Sequence, residues 1–165
     1  MGGNGYRIGI LTLSDQGAVG KRVDESGSEV RRLVADLGTI EHYQILADDF
    51  EQIRTTLASW VDLAGLDLIL TTGGTGLTSR DVTPQATATV LDYPVPGMAE
   101  AMRMASLQKT PHAMLSRAVA GVRGHCLIVN LPGSPRGARE NLEVLLPALP
   151  HALAKLAGDP ADCAR

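Results

Sequence analysis

The sequence predicts an α/β fold, a mostly parallel sheet with helices on both faces, and three observations lead there. Short apolar runs of strand length alternate with amphipathic helical stripes along the chain. Glycine or proline punctuates most of the junctions between them. Residue types that carry chemistry gather just after the strand runs, where the loops at the carboxyl edge of such a sheet bind ligands. The 165 residues, 44% hydrophobic and 20% charged, suit one domain over 1–165 with an ordered core over about 6–157.

Arg7 to Leu13 reads as a buried strand ending at Ser14-Asp15. From Ser26 to Leu37 the apolar residues Val30, Leu33, Val34 and Leu37 make a helical stripe, with Gly38 as its stop. His42 to Leu46 is a short strand closing on Ala47-Asp48-Asp49. Ile53, Leu57, Trp60, Val61 and Ala64 form a second stripe, stopped by Gly65. Leu66 to Leu70 is the third strand and runs into Thr71-Thr72-Gly73-Gly74-Thr75-Gly76. Thr83-Pro84 has the form of an N-cap followed by proline at the first helical position, opening a helix to about Leu91. Pro94 and Pro96 break it, and Gly97 to Leu107 is helical again. His125 to Asn130 is the fourth strand. Leu131-Pro132-Gly133-Ser134-Pro135 then leads into a last helical region, Arg136 to Leu156, bent near Pro147 and Pro150.

Several function classes fall away on composition. A net charge of -3 with 3% aromatics lacks the basic patch and stacking rings of a nucleic-acid binder. The apolar runs are too short and interrupted to span a bilayer, and the N-terminus lacks a basic-then-apolar targeting pattern. The two cysteines, Cys126 and Cys163, read as separate reduced thiols of a cytoplasmic protein, with Cys126 in the core. His42, His112, His125 and His151 are scattered and form no zinc pattern with a cysteine, so they read as structural or solvated.

The loops at Ser14-Asp15, Asp48-Asp49, Thr72 to Asp81 and Leu131 to Pro135 all follow strands and are expected to meet at one sheet edge. Gly73, Gly74 and Gly76 allow positive φ and close approach of backbone N–H groups to an anion, with Thr72 and Thr75 as hydroxyl donors. A plain tight turn accounts for the same glycines. The segment is neither a P-loop nor a dinucleotide fingerprint, which leaves a nicotinamide-dependent oxidoreductase a distant reading. Asp81 beside a helix start, and Asp48 or Asp49 at a strand end, are explicable as cap and solvated residues. Facing one another across an anion site, they suit Mg²⁺, which takes a few carboxylates plus phosphate oxygens. Ser134-Pro135 is a complete helix cap in itself and also exposes helix N–H groups to a phosphate. Ser116-Arg117 offers a hydroxyl and a guanidinium for a phosphate or heteroaromatic ligand, or a surface turn.

The run from Asp67 to Pro84, DLILTTGGTGLTSRDVTP, resembles the signature of the MogA/MoaB family of the molybdopterin-binding fold. The likeness extends through Ile10 to Asp15, Asp24 to Gly27, Pro96-Gly97, Met114 to Gly124 and Leu127 to Pro135, which is nearly the whole chain. It implies a three-layer α/β/α domain that assembles as a homotrimer. It implies a nucleotidyltransferase that moves AMP from Mg-ATP to the terminal phosphate of molybdopterin, with release of pyrophosphate, in molybdenum cofactor biosynthesis. By the same resemblance Asp48, with Asp49 as the other candidate at that strand end, and Asp81 are catalytic and hold Mg²⁺. Gly73 to Gly76 then hold nucleotide or pterin phosphates, and Ser14, Asp15, Thr72, Thr75, Ser116, Pro132, Gly133 and Ser134 line the site. The nucleophile would be a phosphate oxygen that is already anionic, which fits a motif set without a recurrent His or Cys. Two other readings stay open: a molybdopterin-binding module without transfer, and a scaffold subunit of the same pathway.

Overall fold

The computed structural model describes residues 5–160. Cys163 and the first four residues, on which the targeting reading rests, lie outside them. β1 (Tyr6–Leu13) leads through a one-turn helix, α1 (Asp15–Ala18), to α2 (Glu25–Leu33), β2 (Gly38–Leu46), α3 (Phe50–Asp62) and β3 (Leu68–Thr72). α4 (Thr83–Val90), the two-residue β4 (Tyr93–Pro94), α5 (Pro96–Leu107) and a 3-10 turn over Pro111–Leu115 follow. The chain closes with β5 (Ala120–Arg123), β6 (Cys126–Leu131), α6 (Pro135–Leu145) and α7 (Leu149–Leu156).

The sheet order is β2-β1-β3-β6-β5-β4. β1 pairs parallel with β2 and β3, and β3 pairs parallel with β6. β5 and β4 extend it antiparallel. Alternate strand residues feed two cores. Ile8, Ile10, Leu68, Leu70, Leu127 and Val129 face α2, α5, α6 and α7. Leu11, Leu13, Ile69 and Ile128 face α3 and α4, with Ile53, Leu57 and Trp60 opposite them. Each fully buried aliphatic side chain contributes roughly 1.5–3 kcal/mol, so both helix layers are held by burial rather than by helix propensity. The mostly parallel sheet covered on both faces is therefore as expected. Cys126 is fully buried in the second core, where burial pushes its thiol up to about 12.

Several boundaries differ for identifiable reasons. α2 begins at Glu25 because Asp24, whose Oδ1 accepts from Gly27 N at 2.8 Å, caps it. It ends at Leu33 rather than Leu37, and Gly38 opens β2 instead of stopping a helix. A Cβ at residue 38 would sit 1.9 Å from the Tyr6 carbonyl oxygen, so the glycine is there for backbone contact between β1 and β2. β3 and β6 each run further toward the carboxyl edge than expected, to Thr72 and Leu131. The final helical region is two helices, parted at residues 146–148. β5 and β4 went unforeseen: Ala120-Gly121-Val122-Arg123 has little β-propensity, and it is a strand because a two-residue turn at Gly124-His125 folds it onto β6.

A buried polar tie fixes β3 to its neighbours. Asn130, fully buried on β6, donates through Nδ2 to Thr71 Oγ1 and Thr87 Oγ1 at 2.9 Å each, and its Oδ1 accepts from Val119 N at 3.2 Å. Every polar atom of that side chain is used, which is what makes its burial tolerable.

Candidate active site

β1, β2, β3 and β6 end at the same edge of the sheet, and the four loops that follow them do converge. They enclose a cleft of about 360 Å³ whose walls include Ser14, Asp15, Asp48, Gly73-Gly74, Asp81 and Gly133-Ser134. The end of β1 adds Thr12, and the segment leading into α2 adds Arg22 and Asp24, none of which sequence reasoning singled out as site residues. The available signal for Asp24 was its cap position before Ser26-Gly27. It accepts from Thr12 Oγ1 at 2.6 Å and from the Tyr43 hydroxyl. Burial and this neighbouring carboxylate push the Tyr43 hydroxyl up to about 12.

The two aspartates after β2 have different positions. Asp49 caps α3, accepting from Gln52 N at 2.8 Å, and Asp48 faces the cleft. Oδ1 of Asp48 is buried with no hydrogen-bond partner. Burial, then the charges of Asp15 and Asp81, raise the carboxyl of Asp48, while the nearby Asp15 backbone N–H and Arg80 partly offset them. A carboxyl raised in the fold and ordinary in the unfolded chain loses stability as pH rises through its titration. Asp48→Asn is therefore expected to have a higher Tm than the parent at pH 7. Calorimetry should show that advantage shrinking as pH falls from above the raised Asp48 titration down into the ordinary carboxylate range, and a constant difference across that span would refute this account.

Asp81 does not assist the α4 cap. Its Oδ2 accepts from Thr78 N at 2.9 Å and Thr78 Oγ1 at 2.7 Å, closing a turn inside the loop. Oδ1 accepts no hydrogen bond among the described residues. Thr83 is not the cap either: Val82 occupies that position without a side-chain bond. Thr83 N donates to Gly74 O at 3.2 Å, tying α4 to the glycine loop. Arg80 makes a bidentate pair with Asp15, at 2.8 and 2.9 Å, and Asp15 Oδ1 also accepts from Asp48 N at 3.0 Å. The guanidinium holds the Asp15 carboxyl below its usual range. One ion pair thus links the loops after β1, β2 and β3.

The glycine loop is built for packing as much as for binding. Gly73 and Gly74 have φ of 100° and 67°, and a Cβ at residue 133 would lie 3.1 Å from Gly73 Cα. Gly73 N donates to Leu131 O at 3.1 Å, so that N–H is spent within the fold and not offered to an anion. Thr72 is fully buried and donates through Oγ1 to Pro132 O at 2.7 Å, so it too acts inside the fold. Ser14 and Ser134 cap α1 and α6, each accepting from the glycine N–H three residues on at 3.0 Å.

Thr75, Gly76, Ser116 and Pro132 do not face this cleft. They line a second cavity of about 330 Å³, less polar, with Arg103, Lys109 and Asn141 among its walls; Ser134 borders both. Its walls come from α5 and the 3-10 turn that follows it, from α6, and from the glycine loop at Thr75-Gly76. Arg117 binds neither cavity. It donates from N to Thr75 O at 3.1 Å, from Nε to Gly76 O at 2.8 Å, and from Nη2 to Asp81 O, pinning the glycine loop. Among the described residues no three His, Cys, Asp or Glu side chains make a metal-holding group, and no helix is long and apolar enough to cross a membrane. His42 stacks on Trp60, and the His125 ring contacts Leu156 O at 3.0 Å.

A family model described as a probable molybdopterin-binding domain matches residues 9–151. The chain belongs to this family. Among the molybdopterin-binding-domain proteins, it is 42% identical over 155 residues to the molybdopterin adenylyltransferase of Helicobacter pylori, covering 92% of this chain and 88% of that protein. It is also 42% identical over 164 residues to gephyrin of Dictyostelium discoideum, but there it spans 93% of this chain and only 23% of the longer relative. The solved structure of the molybdopterin biosynthesis enzyme MoaB from Thermus thermophilus superposes with a TM-score of 0.88 at 52% identity, covering 95% of this chain and 99% of that one.

Proposed function

We propose that the chain is a molybdopterin adenylyltransferase of molybdenum cofactor biosynthesis, moving AMP from Mg-ATP to the terminal phosphate of molybdopterin. The observation that carries this reading is the pair of cavities meeting at Ser134, on either side of the glycine loop. Group transfer between two bound substrates needs two adjacent seats, whereas a module that only holds a pterin needs one. The acidic cleft suits a metal-bound triphosphate, and the less polar cavity, with Arg103 and Lys109, suits a heteroaromatic phosphate.

The residues fit a divalent cation. Five carboxylates, Asp15, Asp24, Glu25, Asp48 and Asp81, line the cleft, with Arg22 the one cation among its walls and Arg80 turned onto Asp15. That negative field would repel a bare triphosphate. Asp48 lines the cleft and Asp81 keeps an oxygen outside its turn bonds, so both are placed to hold Mg²⁺ together with phosphate and water oxygens. Bound there, the ion would neutralise charge on the α-phosphate and the departing pyrophosphate. Asp48 and Asp81 act as holders rather than bases, because the attacking phosphate oxygen carries no proton that must be removed. The bond formed joins that oxygen to the α-phosphorus, and the bond broken is the α–β phosphoanhydride. Arg117 keeps the loop carrying Gly76 and Asp81 in place while the phosphates exchange. A homotrimer in a thiol-reducing cytoplasm completes the reading.

The test is to incubate purified protein with molybdopterin and Mg-ATP and measure adenylylated molybdopterin and pyrophosphate. Pterin-dependent formation of both in equal amounts is expected, and light scattering should return three chain masses. Tight molybdopterin binding without product, under conditions where the Helicobacter pylori relative turns over, would leave the non-catalytic binding or scaffold role in its place.

A further inference from the structure

Two side-chain polar atoms among the described residues are buried without a hydrogen-bond partner: Oδ1 of Asp48 and Oγ1 of Thr83. They come from different elements, the end of β2 and the first turn of α4, yet they flank the same glycine. A Cβ on residue 74 would sit 2.2 Å from Thr83 Oγ1 and 2.9 Å from Asp48 Oδ1. Gly74 therefore keeps open the space between a hydroxyl and a carboxylate oxygen that lack partners.

An orphaned buried hydroxyl costs about 1–3 kcal/mol, and a valine would fill the same volume without that cost. The other threonine hydroxyls of α4 are used: Thr87 accepts from Asn130, and Thr89 donates to Ala86 O at 2.7 Å. Thr83 is fully buried, and α4 begins without any side-chain cap, so helix stability gives its hydroxyl no task. Its backbone is fixed, because Thr83 N is bound to Gly74 O. Both oxygens lie against the one Cβ position at residue 74, so they are near neighbours across that glycine.

We propose that Thr83 is a positioning residue for Asp48: its hydroxyl donates to Oδ1 and so fixes the plane in which the other carboxylate oxygen meets the cation of the cleft. This rests on the reading of Asp48 as a cation ligand. It adds a residue that touches neither nucleotide nor pterin and acts through Asp48 alone. Partners of this outer kind usually change metal affinity by about 10–100-fold when removed.

Mn²⁺, titrated by electron paramagnetic resonance against the full-length protein with a non-hydrolysable ATP analogue bound, reads the effect without turnover. Thr83→Val should bind Mn²⁺ about 10–100-fold more weakly, Thr83→Ser about as well as the parent. Thermal melting of the valine and serine variants checks that both fold, and the serine variant, which keeps the hydroxyl, separates loss of the donor from loss of packing. Asp48→Asn should weaken Mn²⁺ as well, and adding Thr83→Val to it should weaken it no further, because the two residues act as one unit. Parental Mn²⁺ affinity in Thr83→Val, an undiminished Thr83→Val effect in the Asp48→Asn background, or no effect of Asp48→Asn overturns the assignment. Pyrophosphate release is scored separately, so failed transfer with the expected Mn²⁺ pattern would sink the adenylyltransferase reading and leave the Thr83 assignment standing.

Discussion

Asp81→Ala is expected to cut adenylyl transfer by about 10²–10³-fold, the usual loss when one placed electrostatic group is removed from a transfer site. The cause is local charge rather than collapse. Asp81 sits on a loop held independently at three carbonyls by Arg117, and its own contacts are the two bonds from Thr78. Those two bonds are solvent-exposed, so losing them costs about 1–3 kcal/mol each at most and, with Arg117 still holding the loop, leaves the fold in place. Asp81→Asn separates the effects further, because an amide oxygen still accepts from Thr78 while the charge is gone. Initial rates of pyrophosphate release at saturating and limiting Mg²⁺ measure both variants. If Asp81→Asn matches the parent at limiting Mg²⁺, the residue does not hold the cation.

Gly74→Ala should damage stability and transfer together. Its φ of 67° is one that alanine adopts only under strain, and the new methyl would meet Thr83 Oγ1 at 2.2 Å and Asp48 Oδ1 at 2.9 Å. Strain and overpacking together cost about 2–4 kcal/mol, and the displaced Asp48 should lower the rate by more than the loss of fold explains. Gly97→Ala is the matched control. It lies in the first turn of α5 with nothing within 4 Å of a new Cβ, so the same substitution there should be neutral or slightly stabilising. Urea unfolding of the two variants side by side measures the contrast, and equal destabilisation would mean that the crowding at Gly74 is relieved cheaply.

Most of the strand and helix order of the first 90 residues was readable because the main segments pack on a face whose period shows in the sequence, whereas the one-turn α1, which buries none of its residues, left no such signal. The meeting of four loops was readable for a topological reason: parallel strands joined by helices present their carboxyl ends on one edge. Other features depend on where remote segments land. Arg117 was open between a ligand contact and an exposed turn residue, and it is neither, because a guanidinium offers the same donors to a carbonyl as to a phosphate and only the packed loop decides between them. Thr83 read as a cap because Thr-Pro at a helix start usually is one, yet here the hydroxyl points elsewhere. The division of the site residues between two cavities was hidden, since Thr75 and Gly76 adjoin Gly73 and Gly74 in sequence but line the other side of the loop. β5 was missed because it owes its strand geometry to β6.

The sheet order also sets when the cleft can exist during synthesis. β3 is the third strand made, but its far edge pairs with β6, from Leu68 opposite Leu127 to Thr72 opposite Leu131. Until Cys126 to Ser134 has left the ribosome, the central strand has a bare edge and Gly73 N lacks its acceptor. A chain halted between Asp81 and Cys126 carries both aspartates, the glycine loop and the acidic wall, and still has no cleft. The cleft proposed to take nucleotide is thus absent from the nascent chain until β6 arrives to pair with β3.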